Sequence, residues 1–301
     1  MTVPQPSYIE AFVSGMLHQR AEEATARMED CDLCPRKCHA NRVNEDLGTC
    51  KTGWLAKVAS YSPHFGEEQP LVGTHGSGTI FFTNCNLGCN FCQNFDISHE
   101  GYGVEITNSH LARIMINLQY LGCHNINFVT PSHVIPQILS ALIIAVKNGL
   151  SIPLVYNTSG YDDPATIKLL DGIVDIFMPD FKFWDPEIAR QVCNAYDYPE
   201  YARQSIKEMH RQVGDLVIVN GKAVRGLLIR HLVLPDNLAG TREIMKFIAD
   251  EVSASTYVNV MDQYRPCGEA IDTDNLNRGI TRKEFYNALK AASSAGLNRM
   301  N

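Results

Sequence analysis

The chain of 301 residues lacks three features: a long apolar run, an excess of positive charge and a basic, apolar N-terminal segment. No stretch approaches the roughly 20 apolar residues of a membrane span, so no membrane partner is expected. The net charge of −7 argues against nucleic acid as the main partner, because phosphate binding needs a basic surface. Residues 1–19 do not have the pattern of a secretion signal, which predicts a cytoplasmic protein.

Cysteine is the residue present in unusual number, with ten in the chain. Most fall into two tight groups, within residues 31–50 and 85–92, and the single ones are Cys123, Cys193 and Cys267. A cytoplasmic protein keeps its thiols reduced, so disulfides are not expected. Tight grouping in such a protein indicates metal binding.

The periodicity of apolar residues predicts an α/β fold. An amphipathic helix is predicted over 7–28, and the predicted strands are 79–84, 124–130, 153–158, 174–181, 226–234 and 256–262. Helices are predicted near 108–120, 134–148, 164–171, 186–211, 240–252 and 281–296, while 212–225 fits neither pattern. Thr281 and Glu284 have the spacing of a capping box.

Six strands joined by crossovers long enough for helices require parallel pairing. Their apolar, β-branched content suits a sheet that is covered by helices. The alternation alone does not distinguish a partial barrel from an open doubly wound sheet. We expect an N-terminal segment over 1–57, with the first helix and the first cysteine group, followed by the sheet domain over 58–301.

The second cysteine group has the pattern C-x3-C-x2-C, formed by Cys85, Cys89 and Cys92 directly after the first predicted strand. Loops at the carboxyl ends of barrel strands commonly build active sites. Three thiolates on a 4Fe–4S cluster leave one iron without a protein ligand, whereas an electron-carrying cluster normally has four cysteines. Gly88 permits the turn that this requires. The alternatives are a zinc site completed by His99 and three buried free thiols.

The first group, Cys31, Cys34, Cys38 and Cys50, has the pattern C-x2-C-x3-C-x11-C. Four thiolates close a metal site completely, which fits either structural zinc or an electron-transfer 4Fe–4S cluster. Both readings stay open at this point.

These residues carry a family resemblance. The triad, with Phe91 just before its last cysteine, resembles the defining motif of the radical S-adenosylmethionine (SAM) superfamily. The chain further resembles the PflX-type branch, relatives of the pyruvate formate-lyase-activating enzymes, in the blocks CDLCPRKCHANR, GSGTIFFTNCNLGCNFCQN, VTPSHVIPQI, YNTSGYD, MPDFKF, RHLVLPDN and YVNVMDQYRP.

The resemblance implies a partial (β/α)6 barrel, a 4Fe–4S cluster on the triad and SAM at the open iron. It implies reductive cleavage of SAM to methionine and a 5′-deoxyadenosyl radical, which abstracts hydrogen from an unidentified substrate. An electron donor such as flavodoxin or ferredoxin is then required. The alternatives are an activase that acts on a glycine of a glycyl-radical protein, and a non-catalytic iron–sulfur or zinc redox scaffold.

The resemblance also implies roles for residues at strand ends. Phe91 approaches the adenine of SAM. Thr130 and Ser132 stand where activating enzymes have a Gly-Gly-Glu stretch that meets the SAM amino group, although Ser132 could instead cap a helix. Ser159 is a candidate for the ribose or the carboxylate of SAM.

Two later strands add charged candidates. Asp180 and Lys182 alternate onto one face and can form an ion pair, with Lys182 neutralising the SAM carboxylate or forming a structural salt bridge only. Arg230 suits the SAM carboxylate or ribose, and His231, on the opposite face, is a weaker candidate. Weaker candidates for the substrate side are Asn259, Asp262, Gln263, Tyr264, Arg265 and Cys267. Cys123 and Cys193 are expected to be ordinary thiols.

Overall fold

Residues 4–300, which the computed structural model describes, form a ten-stranded sheet and eleven α-helices. The strands are β1 (Ala56–His64), β2 (Ser77–Phe82), β3 (Val104–Ile106), β4 (Ile126–Val129), β5 (Leu154–Thr158), β6 (Ile176–Pro179), β7 (Val217–Val219), β8 (Lys222–Leu232), β9 (Tyr257–Met261) and β10 (Arg299–Met300). The helices are α1 (Ser7–Val13), α2 (Met16–Ala26), α3 (Gln69–Val72), α4 (Phe95–Ser98), α5 (Asn108–Tyr120), α6 (Ile135–Lys147), α7 (Pro164–Lys168), α8 (Pro186–Cys193), α9 (Tyr198–Val213), α10 (Thr241–Phe247) and α11 (Arg282–Ser294).

The sheet has the strand order β10-β9-β8-β6-β5-β4-β2-β1-β3, with β7 paired to β8 outside this path. The six strands expected from the sequence are β2, β4, β5, β6, β8 and β9, and each pairs in parallel with its neighbour. This confirms the predicted α/β fold with a parallel sheet. Within the described residues the sheet stays open, because β3 and β10 are its two outer strands.

The central strands are buried on both faces, as a parallel sheet covered by helices requires. Every residue of β5 and of β6 is buried. Val155 and Ile176 belong to a small apolar cluster on one face. Tyr156 and Phe177 belong to the large cluster that includes the helices on the other face. Because β2, β4, β5, β6, β8 and β9 run the same way, their carboxyl ends meet at one edge of the sheet.

Several helix starts follow local sequence signals. Asp163 and Asp185 cap α7 and α8 by accepting backbone N–H groups, as short polar side chains do at helix N-termini. The predicted capping box at α11 is present: Thr281 accepts from Glu284 N, and the Glu284 carboxylate accepts from Thr281 N. None of the helices within 4–300 is long and apolar enough to cross a membrane.

The structure corrects some element boundaries. The prediction of one helix over 7–28 was wrong, because Gly15 adopts a left-handed conformation (φ 82°) that separates α1 from α2. The single helix expected over 186–211 is also two helices, since Asn194 (φ 48°) ends α8. The ambiguous segment 212–225 contains the antiparallel hairpin that joins β7 to β8.

Four strands were not predicted, namely β1, β3, β7 and β10. β1 and β3 form the antiparallel edge of the sheet, where β1 lies between β2 and β3. Most of β1 is exposed or half-buried, so it lacks the apolar run by which the parallel strands were found. The predicted boundary between residues 57 and 58 falls inside β1, and the division into two domains stays a prediction.

Candidate functional site

The loop after β2 carries Cys85, Cys89 and Cys92 at the carboxyl edge of the sheet. Gly88 lies between them with φ 69°, a left-handed conformation that favours glycine and allows the loop to turn back on itself. The backbone N–H of Leu87 points at Cys85 Sγ at 3.4 Å. All three cysteines line one cavity of about 240 Å³.

The surroundings of the three cysteines favour the protonated thiol over the thiolate. Burial raises the pKa of Cys85 to about 12 and also raises the pKa of Cys92. The pKa of Cys89 is raised first by its hydrogen bond with Cys193 and then by burial. Since a thiolate and not a thiol binds metal, loading this loop with iron must release protons.

Across residues 4–300, no group of three or more His, Cys, Asp or Glu side chains is arranged to hold a metal ion. In a cubane cluster each thiolate binds a different iron, so its three cysteines need not converge on one point. His99, the residue that would complete a zinc site, stacks on Phe95 with ring centroids 4.2 Å apart, and its Nδ1 lies 2.7 Å from Ser98 Oγ.

The cavity brings most of the predicted site residues together. Besides the triad, its wall contains Phe91, Thr130, Ser159, Asp180, Lys182, Arg230 and Gln263. They come from the ends of different strands, which is the arrangement expected where parallel strands end at a common edge.

A network of charges forms one wall of the cavity. Asp180 accepts hydrogen bonds from Lys182 Nζ at 2.6 Å and from Arg230 Nε at 2.8 Å. Arg230 also donates from Nη2 to Asn157 Oδ1 at 2.8 Å, and its Nη1 lies 3.9 Å from Glu67 Oε2. Burial alone would raise the pKa of Asp180, but the two adjacent cations outweigh it and hold that pKa below its usual value.

Two small polar residues complete the wall. Thr130 adopts φ 59°, which is unusual for a β-branched residue and marks local backbone strain. Ser159 Oγ is buried and has no hydrogen-bond partner among the described residues. A buried hydroxyl without a partner is costly, so this position has an unused capacity to bind a polar ligand.

Phe91 forms the apolar part of the wall. Its ring packs edge-on against Phe183 and Tyr264, with centroids 6.0 and 5.8 Å away. The ring is therefore held in place beside the triad.

The structure does not bring Ser132 to the cavity. Ser132 is buried and donates to Asp162 Oδ1 at 2.6 Å, next to Tyr156 and Thr158, which bind the same carboxylate. This buried network stabilises the end of β5, and Ser132 is not among the residues that line the cavity.

Other candidates also lie off the cavity. His231 is fully buried on the opposite face of β8, bonded to the Phe181 carbonyl and Thr241 Oγ1, and burial lowers its pKa to about 4. Asn259 donates to both oxygens of Glu68 at 2.8 Å. The weaker candidates that do not line the cavity are His231, Asn259, Asp262, Tyr264, Arg265 and Cys267.

Glu67 and Asn157 were not predicted as partners of Arg230 from the sequence. Asn157 is the second-last residue of β5, two residues before Ser159, and both side chains line the cavity. Glu67 precedes α3 on a segment without strand or helix pattern, so no sequence signal pointed to it.

The four N-terminal cysteines lie together in the segment that follows α2. Cys31, Cys34 and Cys50 are buried, and Cys38 is half-buried. Burial, together with the neighbouring Cys50, raises the pKa of Cys34 to about 12. They belong to the predicted second metal site, which stays a prediction.

A buried arginine adjoins these cysteines. Arg42 is 1% exposed, donates from Nε and Nη2 to the Gly53 carbonyl, and has its Nη1 3.9 Å from Cys31 Sγ. No carboxylate within residues 4–300 forms an ion pair with it. A buried cation needs an anionic partner.

Arg36 connects the N-terminal segment to the triad loop. Its guanidinium donates to the carbonyls of Asn86 and Leu87 at 2.9 and 3.0 Å, and to the Cys193 carbonyl at 2.8 Å. It also lies over the Tyr161 ring. The four-cysteine segment is therefore fixed directly against the loop that carries the triad.

A larger groove of about 650 Å³ lies elsewhere, between α10 and α11. Its wall contains no cysteine or histidine, and its charged side chains are Arg242, Lys246, Asp250, Glu284 and Lys290. The smaller cavity at the triad therefore remains the candidate active site.

Comparison with known proteins identifies one family. The model of the Radical SAM superfamily matches residues 79–248, which is more than half of the chain and includes the triad loop. The chain is 32% identical over 303 residues to "Uncharacterized protein MJ0674" of Methanocaldococcus jannaschii, covering 96% of this chain and 82% of that protein.

Solved structures are similar at low identity. QueE from Escherichia coli is 12% identical with a TM-score of 0.44, covering 82% of this chain and 92% of that chain. Methylornithine synthase (PylB) is 14% identical with a TM-score of 0.43, covering 74% of this chain and 70% of that chain.

Proposed function

This chain belongs to the radical SAM superfamily, and from that membership we propose that the cavity at Cys85, Cys89 and Cys92 is its active site. A 4Fe–4S cluster and SAM are the cofactors that the family implies. When bound, they supply reductive cleavage of SAM and abstraction of a hydrogen atom from a substrate. The observation that carries the proposal is that the triad and the strand-end polar residues share one cavity.

The residues present fit these cofactors. The triad offers three thiol ligands on one loop, which leaves one iron of a cubane for a further ligand. Lys182 Nζ has three N–H donors, and within the described residues only Asp180 accepts from one of them. The unpartnered Ser159 hydroxyl adds a donor and acceptor in the same cavity.

We assign roles to the chain's own residues on this basis. Lys182 and Arg230 bind the carboxylate of SAM, and Asp180 holds both cations in position through its two oxygens. Ser159 contacts the ribose or the carboxylate. Phe91, fixed by its two aromatic neighbours, contacts the adenine.

The SAM amino group needs a separate acceptor. Thr130 is the candidate within the cavity, and its left-handed backbone directs the end of β4 into the site. Ser132 is engaged with Asp162, which weakens its candidacy for this role.

The test is SAM cleavage by the anaerobically reconstituted, reduced protein. We expect 5′-deoxyadenosine from the wild type and none from Cys89→Ala. Cys123→Ala is the matched control, because Cys123 is an equally buried thiol at the opposite end of the sheet, before β4. No product from wild type, together with an EPR spectrum unchanged by SAM, would refute the proposal and favour a redox scaffold.

We also propose that Cys31, Cys34, Cys38 and Cys50 hold a second metal centre, either zinc or an iron–sulfur cluster. The buried Arg42 guanidinium needs an anionic partner, and metal-bound thiolates would supply that negative charge. Iron and zinc analysis of wild type and a Cys31→Ala/Cys34→Ala variant decides between the metals. Arg42→Met should lower the content of that metal, and an unchanged content would contradict the role of Arg42.

The finer classification rests on the sequence blocks alone. We propose the PflX-type branch, with flavodoxin or ferredoxin as electron donor, and a glycyl-radical protein as the alternative substrate. Co-purification of such a protein, followed by detection of a glycyl radical on it after incubation with SAM, would support the activase reaction. 5′-Deoxyadenosine formation without that radical would favour another substrate.

A further inference from the structure

Cys193, the last residue of α8, lies directly beside the triad. Its Sγ is 3.3 Å from Cys89 Sγ, although the two residues are 104 positions apart in the chain. Cys193 is 3% exposed and Cys89 is 8% exposed, so the contact is inside the protein. From the sequence, Cys193 was expected to be an ordinary thiol.

Two hydrogen bonds hold the backbone at the end of α8 beside this contact. The Cys193 carbonyl accepts from Arg36 at 2.8 Å, and the Val192 carbonyl accepts from the N–H of Asn90 at 2.9 Å. Asn90 follows Cys89 in the triad loop. The end of α8 and the triad loop are therefore joined by a main-chain hydrogen bond, and the approach of the two sulfurs does not depend on a mobile side chain alone.

The chemistry determines which sulfur donates. A cysteine that binds iron has lost its proton, so Cys89 can only accept, and the proton of the pair belongs to Cys193. Cys193 is not part of the cavity wall, so it meets neither SAM nor substrate there. Its position behind Cys89 is that of a hydrogen-bond donor to a cluster ligand.

We infer that Cys193 is a positioning residue that acts through Cys89 and makes the cluster easier to reduce; this rests on the proposed function. Adding an electron increases the negative charge on the ligand sulfurs. A donor to one of those sulfurs stabilises the reduced cluster more than the oxidised one, and hydrogen bonds to sulfur are among the determinants of cluster potential.

The experiment is an EPR-monitored redox titration of the anaerobically reconstituted protein. Four forms are compared: wild type, Cys193→Ala, Cys193→Ser and the control Cys123→Ala. In Cys193→Ala we expect the ratio of reduced to oxidised cluster at a fixed ambient potential to fall about threefold to tenfold, where tenfold corresponds to 59 mV for one electron. Cys193→Ser keeps an O–H donor, so its reduction potential should stay closer to that of the wild type. The potential of Cys123→Ala should equal that of the wild type.

The outcomes are separable. Equal potentials in all four forms would overturn the inference, and so would equal shifts in Cys193→Ala and Cys193→Ser, which indicate packing alone. Loss of iron in both Cys193 variants, with Cys123→Ala fully loaded, would make Cys193 a ligand and also overturn it. A wild type that takes up no cluster would overturn the proposed function and this inference with it.

Discussion

The structure predicts most directly how much the substitution Asp180→Asn lowers the free energy of unfolding. The Asp180 carboxylate accepts from Lys182 at 2.6 Å and from Arg230 at 2.8 Å, and its side chain is only 12% exposed. Asparagine keeps the shape but removes the charge. Two largely buried cations then remain, with the carboxylate of Glu67 3.9 Å from Arg230 as the nearest ionic partner.

Removing one partner of a buried ion pair costs about 3–5 kcal/mol, because an uncompensated charge stays behind. This is a large part of a total stability of about 5–15 kcal/mol. With a slope of about 3 kcal/mol per molar urea, the unfolding midpoint should fall by about 1 M or more. The assay is urea unfolding of the reduced protein without added metal, so that metal binding does not contribute.

Lys182→Met is the matched control for this prediction. It removes one cation and leaves the Asp180–Arg230 pair intact, so its cost should be smaller. The double variant Asp180→Asn/Lys182→Met should lose less than the sum of the single losses, because the two side chains interact directly. A loss below about 1 kcal/mol in Asp180→Asn, or simple additivity, would refute the reasoning.

Three further changes test the stability of the fold. Gly160→Ala should cost about 2 kcal/mol or more in urea unfolding, because Gly160 has φ 79° and an added Cβ would overlap the Asp180 carbonyl; an unchanged midpoint would contradict this. Burial raises the pKa of Asp175 from 3.8 to about 6, so its stability contribution is complete below about pH 3.8 and is lost as pH rises through 6. Asp175→Asn should remove about 3 kcal/mol of this pH dependence, measured as urea midpoints from pH 4 to 7. Burial lowers the pKa of His231 from 6.5 to about 4, so its contribution is present above pH 6.5 and is lost as pH falls through 4. His231→Gln should remove about 3 kcal/mol of that acid sensitivity, and an unaltered pH profile would show that His231 is not held neutral by burial.

Features with a local pattern were predictable from the sequence. Continuous apolar runs identified the six parallel strands, because strands buried on both faces need apolar residues at every position. The spacing of Cys85, Cys89 and Cys92 after the first of these strands placed the candidate site at the carboxyl edge. Alternation along β8 separated Arg230 from His231, which the structure puts on opposite faces.

Contacts between residues that are far apart in the sequence became visible in the tertiary structure alone. Ser132 follows its strand as Thr130 does, but it is drawn into the core by Asp162, a partner 30 residues later. Arg42 supports a metal site at the N-terminal cysteines only because its side chain is buried and forms no ion pair with a carboxylate within residues 4–300. Cys193 has no motif of its own, and its place behind Cys89 depends on how α8 packs against the triad loop. Contacts of this kind depend on packing between elements, for which a single sequence carries no periodic signal.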